Sequence, residues 1–221
     1  MFLPQSRLRR LVGGACMVVG AALLLGAVSI SLQGRIWQEQ HAGLFVGARA
    51  HVGTPAALPS SPHAHRPPLR GEALAHLSIA RLGIGSVVVE GTDPTSLRLG
   101  PGHLEGSALP GEPDNCIIAG HRDGPFRRLS TARPGDIIEI TGRDRVNHYR
   151  IDSLETVPKD DLRPLAPSSA PILTLVTCYP FHYVGKAPMR FIVRASLLDE
   201  STEVPARSPR SSAEAFRATG S

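Results

Sequence analysis

The sequence predicts an all-β fold, a barrel or sandwich of short strands with a few helical turns, carried behind one N-terminal transmembrane helix. Three observations predict it. Leu11 to Leu32 is an uncharged run of apolar and small residues. Between residues 74 and 198, short apolar and β-branched runs recur between Gly, Pro and Asp turn signals, the spacing of a sandwich or barrel. The flanking stretches, 51–72 and 199–221, are rich in Pro, Ser, Ala, Arg or His and carry too little apolar surface for a core.

The elements follow in order. At about 1.5 Å per residue, the run from Leu11 spans roughly 30 Å, enough to cross a hydrocarbon core. Arg7, Arg9 and Arg10 precede it, which holds that end in the cytoplasm and places the rest outside. The alternative, a cleaved signal peptide, is disfavoured because no small-x-small site directly follows the run. Ile36, Trp37, Leu44, Phe45 and Val46 suggest an amphipathic continuation with Trp37 at the membrane interface. Leu77-Ser78-Ile79 and Val87-Val88-Val89, around Gly83 and Gly85, read as strand, turn, strand. Asp93 followed by Pro94 is the N-cap and first turn of a short helix. Asn115 to Ala119 is a strand ending at Gly120-His121. Helical turns are expected at Phe126–Leu129 and Asp160–Leu165. Further strands are expected from Pro134-Gly135-Asp136 through Ile140, over Arg145–Leu154, over Ile172–Thr177 and over Arg190–Leu197. The chain thus divides into a cytoplasmic N-terminus and transmembrane signal-anchor (1–33), an extracytoplasmic stalk (34–73), a β-domain (74–198) and a disordered tail (199–221).

Composition removes several function classes. The net charge is +5, but the arginines are scattered among acids, as in Arg143-Asp144-Arg145, without a basic stripe bearing aromatics. Nucleic-acid binding is therefore not expected. Of 24 basic residues only Lys159 and Lys186 are lysines. The three cysteines, Cys16, Cys116 and Cys178, form neither a disulfide framework nor a CxxC pair. His182, four positions after Cys178, lacks further ligands at zinc-site spacing. His63 and His65 sit in a solvated spacer. No metal or cofactor is expected.

The chemistry gathers around Thr174-Leu175-Val176-Thr177-Cys178-Tyr179-Pro180-Phe181. One thiol stands at a strand end, an arginine opens the next strand in Pro188-Met189-Arg190-Phe191, and a histidine lies upstream in Gly120-His121-Arg122-Asp123. A thiolate attacks carbonyls, and a nearby imidazolium or guanidinium favours that form. His121 can pass a proton to a leaving amine. Arg190 can donate to an oxyanion or a substrate carbonyl while keeping its charge. His103, in Gly100-Pro101-Gly102-His103, is the rival imidazole. Thr177 is equally well a strand residue or a group beside the oxyanion. Asp123 could orient His121 or pair with Arg122 or Arg127. Cys116 reads as core, or as a thiol that oxidation cross-links to Cys178.

The Thr-Leu-Val-Thr-Cys segment, with Arg190 downstream and Gly120-His121-Arg122-Asp123 upstream, resembles the sortases. Thr-Cys-Tyr-Pro-Phe, Gly-Lys-Ala-Pro-Met-Arg-Phe-Ile-Val and the stretch from Glu90 to Gly111 look most like class D, over residues 75 to 197. The resemblance implies an eight-stranded sortase-type β-barrel and a membrane-bound cysteine transpeptidase. Its substrates would be secreted proteins with a C-terminal Leu-Pro-x-Thr-Gly-like sorting signal, and its acceptor the amine of a cell-wall precursor or of another protein. By it Cys178 is the nucleophile, His121 the proton carrier and Arg190 the carbonyl or oxyanion donor; beside it, the residues themselves put Thr177 and His103 on the substrate side, with a structural role for His103 the alternative. Met189 departs from the polar or basic residue expected there. Two other readings stand: a cysteine peptidase with water as acceptor, and a non-catalytic, membrane-tethered β-domain that binds extracellular polymer. The His-Gly-Cys signature of L,D-transpeptidases is absent.

Overall fold

The computed structural model describes residues 5–45, 66–183 and 185–198. Most of the expected spacer, with His51, His63 and His65, and the expected tail 199–221 lie outside the described residues. Eight strands, β1 (Ala73–Ile79), β2 (Ile84–Glu90), β3 (Gly102–His103), β4 (Asn115–Gly120), β5 (Ile137–Thr141), β6 (Val146–Pro158), β7 (Ile172–Tyr179) and β8 (Met189–Leu197), are joined by short helical turns. They close into a barrel in the order β1-β2-β3-β4-β7-β8-β6-β5. Closure leaves no sheet edge to aggregate. The expected all-β barrel is the observed fold.

Alternation builds the core. β1 reads buried, half-buried, buried along its length, so Ala75, Leu77 and Ile79 point inward with Ile118, Ile138, Ile140, Leu173, Leu175 and Val193. Successive side chains of a strand face opposite ways, which sends the residues between them to the outer wall. Between β1 and β2, Gly83 adopts φ 59°, a left-handed turn that glycine enters without steric cost. The short helix α2 (Pro94–Leu99) is capped by Asp93, whose carboxylate accepts from the Thr95 and Ser96 N–H groups, as the Asp-Pro pair predicts.

β3 is the element absent from the sequence reading. Gly102-His103 looked like a glycine-rich loop, yet it pairs parallel with β2 and antiparallel with β4. A Cβ at Gly102 would lie 2.0 Å from the Gly91 carbonyl oxygen, so only glycine lets the strands approach. The strand carries His103, which is 1% exposed. Its Nδ1 lies 2.7 Å from Glu90 Oε2, and its Nε2 is 3.0 Å from both Ala108 O and Ser107 Oγ. The pair ties β2 to the loop ahead of β4. Removing one partner of a buried pair strands the other without compensation. His103→Leu should therefore cost about 3–5 kcal/mol of stability, read by equilibrium urea unfolding, and Glu90→Gln in the same chain should recover part of it.

Asp136 anchors the start of β5. It is 8% exposed and accepts from the Arg81 guanidinium and the Arg133 N–H. The Arg81 hydrogen bonds hold its carboxyl below the usual carboxylate range. A carboxyl with a depressed folded pKa contributes stability above its unfolded pKa and loses it as pH falls through the folded one. Asp136→Asn should thus lower Tm at neutral pH, and the gap to wild type should close on acidification, as thermal melts across the acid range would show.

The first helix, α1 (Gln5–Ala42), runs unbroken through the apolar segment. The span from residue 13 to 45 holds a window of mean hydropathy 2.3, none of it buried. Its C-terminal end docks on the barrel. Gln38 Nε2 donates to Val87 O and Leu99 O, and Gln38 Oε1 accepts from the Val87 N–H. Trp37 packs on the Phe45, Ala73 and Val87 cluster, against the barrel wall.

Candidate active site

Three neighbouring strands bring the thiol, the imidazole and the guanidinium to one place. β4 and β7 run parallel with Gly120 beside Thr177, so His121, just past the end of β4, follows the same register step as Cys178 near the end of β7. β7 and β8 are antiparallel with Cys178 directly opposite Arg190. Alternation sets the face. Leu173 and Leu175 on β7, Cys116 and Ile118 on β4, and Val193 and Ala195 on β8 belong to the core. Cys178 and Arg190 fall on the opposite parity and face outward, and His121, the residue after β4, is exposed beside them. All three line a cleft of about 420 Å³ with Arg122, Asp123, Lys159, Lys186 and Ala187. A cavity of about 480 Å³, lined by Ala73, Pro110, Arg143 and Asn147 among others, holds no thiol and none of the five candidate residues.

Thr177 is 2% exposed, and its hydroxyl donates to Gly120 O at 2.8 Å. It therefore points away from the cleft wall and locks the strand that carries the thiol to the strand that delivers the imidazole. Gly120 is needed there for space: a Cβ would sit 2.6 Å from the Phe126 ring, itself fully buried. His103 does not reach the cleft; its ring is enclosed by Glu90, Ser107 and Ala108. Cys116 lies beside Leu173, five residues before Cys178 on β7, which is about 16 Å along a strand. A disulfide needs Cα atoms within about 7 Å, so a Cys116–Cys178 cross-link is out of reach. Burial also pushes the Cys116 thiol pKa far up, which leaves it inert as a nucleophile.

Arg190 Nη1 donates to Ala187 O and Met189 O at 3.3 and 3.0 Å. Its own loop thus orients the guanidinium. Arg122 is the residue the sequence reading undervalued. Its guanidinium donates to Pro180 O, Tyr183 O and Gly185 O and lies 5.7 Å from the Tyr183 ring centroid. It therefore holds the β7–β8 loop beside Cys178 instead of pairing with Asp123. Its place directly after His121 was the available signal. Arg122→Ala should leave the barrel melting near wild type while lowering kcat/KM by about 10²-fold, the cost of a small misplacement of reacting groups; steady-state kinetics with thermal melts would separate the two. Among the described residues no group of three His, Cys, Asp or Glu gathers as a metal site, and His182 joins none.

The closed β-barrel and its cleft can be set beside known proteins. Residues 77–198 match the model of the sortase domain, and the chain belongs to the sortase family. It is 36% identical over 127 residues to sortase D of Bacillus subtilis (strain 168), covering 57% of this chain and 64% of that protein, so the match spans a little under two thirds of the relative's length. Among solved structures, the sortase D5 transpeptidase of Clostridium perfringens superposes with TM-score 0.59 at 24% identity, covering 77% of this chain and 99% of that one. A sortase E variant from Streptomyces avermitilis superposes with TM-score 0.53 at 30% identity, over 59% of this chain and 91% of that one.

Proposed function

We propose that the chain is a membrane-anchored cysteine transpeptidase, its N-terminus cytoplasmic and its barrel outside, that cuts a Leu-Pro-x-Thr-Gly-like sorting signal and passes the protein to an amine. The observation that carries this is the register: Cys178 opposite Arg190, and one residue beyond the Thr177–Gly120 pair that leads to His121. In the first half-reaction the Cys178 thiolate attacks the threonine carbonyl carbon. Arg190 donates hydrogen bonds to the oxygen as it gains charge. The C–S bond forms, the C–N bond breaks, and His121 protonates the departing glycine amine. In the second, a neutral amine attacks the thioester carbon, His121 takes its proton, a C–N bond forms and the sulfur leaves as thiolate.

The exposed apolar helix ahead of the barrel supports the anchoring, since the sorted protein and a lipid-linked precursor meet at the outer membrane face. The full-length protein in detergent micelles, given peptides of this type with and without an amine, tests the activity. Amide products that rise with amine concentration at the expense of free acid are expected. Free acid alone at saturating amine would make the protein a peptidase that uses water.

A further inference from the structure

The cleft is strongly cationic for its size. Arg122, Lys159, Lys186 and Arg190 line it, against one carboxylate, Asp123. The chain's only two lysines, in a sequence that otherwise uses arginine for positive charge, both stand there. Arg122 is engaged with three loop carbonyls and Arg190 with two. The Lys159 and Lys186 side chains make no hydrogen bond or ion pair among the described residues. Lys159 sits on the β6–β7 connection and Lys186 on the β7–β8 connection, and the Lys159 N–H donates to Pro188 O, which joins the two connections beside the thiol.

This environment bears on the second half-reaction. At neutral pH a simple alkylamine arrives as an ammonium ion and is repelled by four like charges. A negative group on the acceptor offsets the repulsion, and the same cations then favour the neutral, attacking form of its amine. An ammonium on a flexible stem suits such an anion as a point charge. Taking Cys178 as the acyl carrier, we propose that the cleft selects acceptor amines that carry an anionic group, carboxylate or phosphate, and that Lys159 and Lys186 hold that group.

The test uses matched acceptors on the full-length protein. Nα-acetyl-lysine and its amide present the same ε-amine with and without a carboxylate; phosphoethanolamine and ethanolamine do the same for phosphate. Competition for the acyl-enzyme should favour the acid over the amide by about fivefold, the scale of two partly exposed charge contacts, and the preference should fall with added salt. The larger ratio of the two pairs identifies the anion. The preference should vanish in Lys159→Ala/Lys186→Ala, persist in Lys159→Arg/Lys186→Arg and fall in Lys186→Glu. NMR titration of each acceptor into the Cys178→Ala protein measures the same preference as dissociation constants without any thioester. Equal constants for acid and amide, or a preference unchanged by the double alanine variant, overturn the proposal. Failure to form an acyl adduct overturns only the reading of Cys178.

Discussion

Cys178→Ala should abolish acyl transfer, by about 10⁴-fold or more, while the barrel stays folded. Removing a nucleophile leaves only what binding and preorganised donors provide. The alternatives within the barrel fail on position. Cys116 is buried in the core with its thiol pKa pushed far up, and Cys16 lies in the apolar helix far from the cleft in sequence. No second thiol is placed to substitute. The side chain of Cys178 is half-buried on the outer wall, so the loss of one sulfur changes little of the core. Thermal melting should move by less than a large-to-small core change would. Discontinuous product assay with the melt as control checks both. Turnover near wild type would place the chemistry elsewhere.

Arg190→Ala comes second in size. The guanidinium faces Cys178 across the β7–β8 ladder and is held by two carbonyls of its own loop, which leaves Nε and Nη2 to donate into the cleft. A lost donor at a developing oxyanion costs about 10²–10³ in kcat. The alanine variant should show that fall, mostly in kcat, with its fold intact by circular dichroism. Arg190→Lys should recover only a small part. One ammonium cannot hold the loop carbonyls and reach the substrate oxygen at once, and it lacks the planar fork. Full recovery by lysine would mean that charge alone matters and that the fork geometry does not.

Much of this was legible in the chain. The strand over Ile172–Thr177, the Asp93-Pro94 cap and the turn at Gly83 are local signals, and the structure follows them. The Thr-Cys strand end, the Gly-His pair and the arginine opening β8 pointed to three groups that the fold brings to one cleft. What stayed hidden depends on pairing between distant segments. β3 is two residues long, and its strand character comes from β2 and β4 on either side. His103 looked accessible in a glycine-rich stretch, but Glu90, thirteen residues earlier, encloses it. Arg122 showed no local sign that its partners would be carbonyls some sixty residues away. The two lysines were visible as a composition oddity, and only the fold brought them together.

The most direct measurement is the intact mass of the full-length protein after reaction with a Leu-Pro-x-Thr-Gly-type peptide library, followed by peptide mapping. A covalent adduct equal to the peptide portion ending at threonine, mapped to Cys178, labile to hydroxylamine and discharged by an amine, is the expected result. A protein whose Cys178 alkylates freely but carries no adduct from any member of the library, or an adduct mapped to another residue, would contradict the assignment of Cys178 as the acyl carrier.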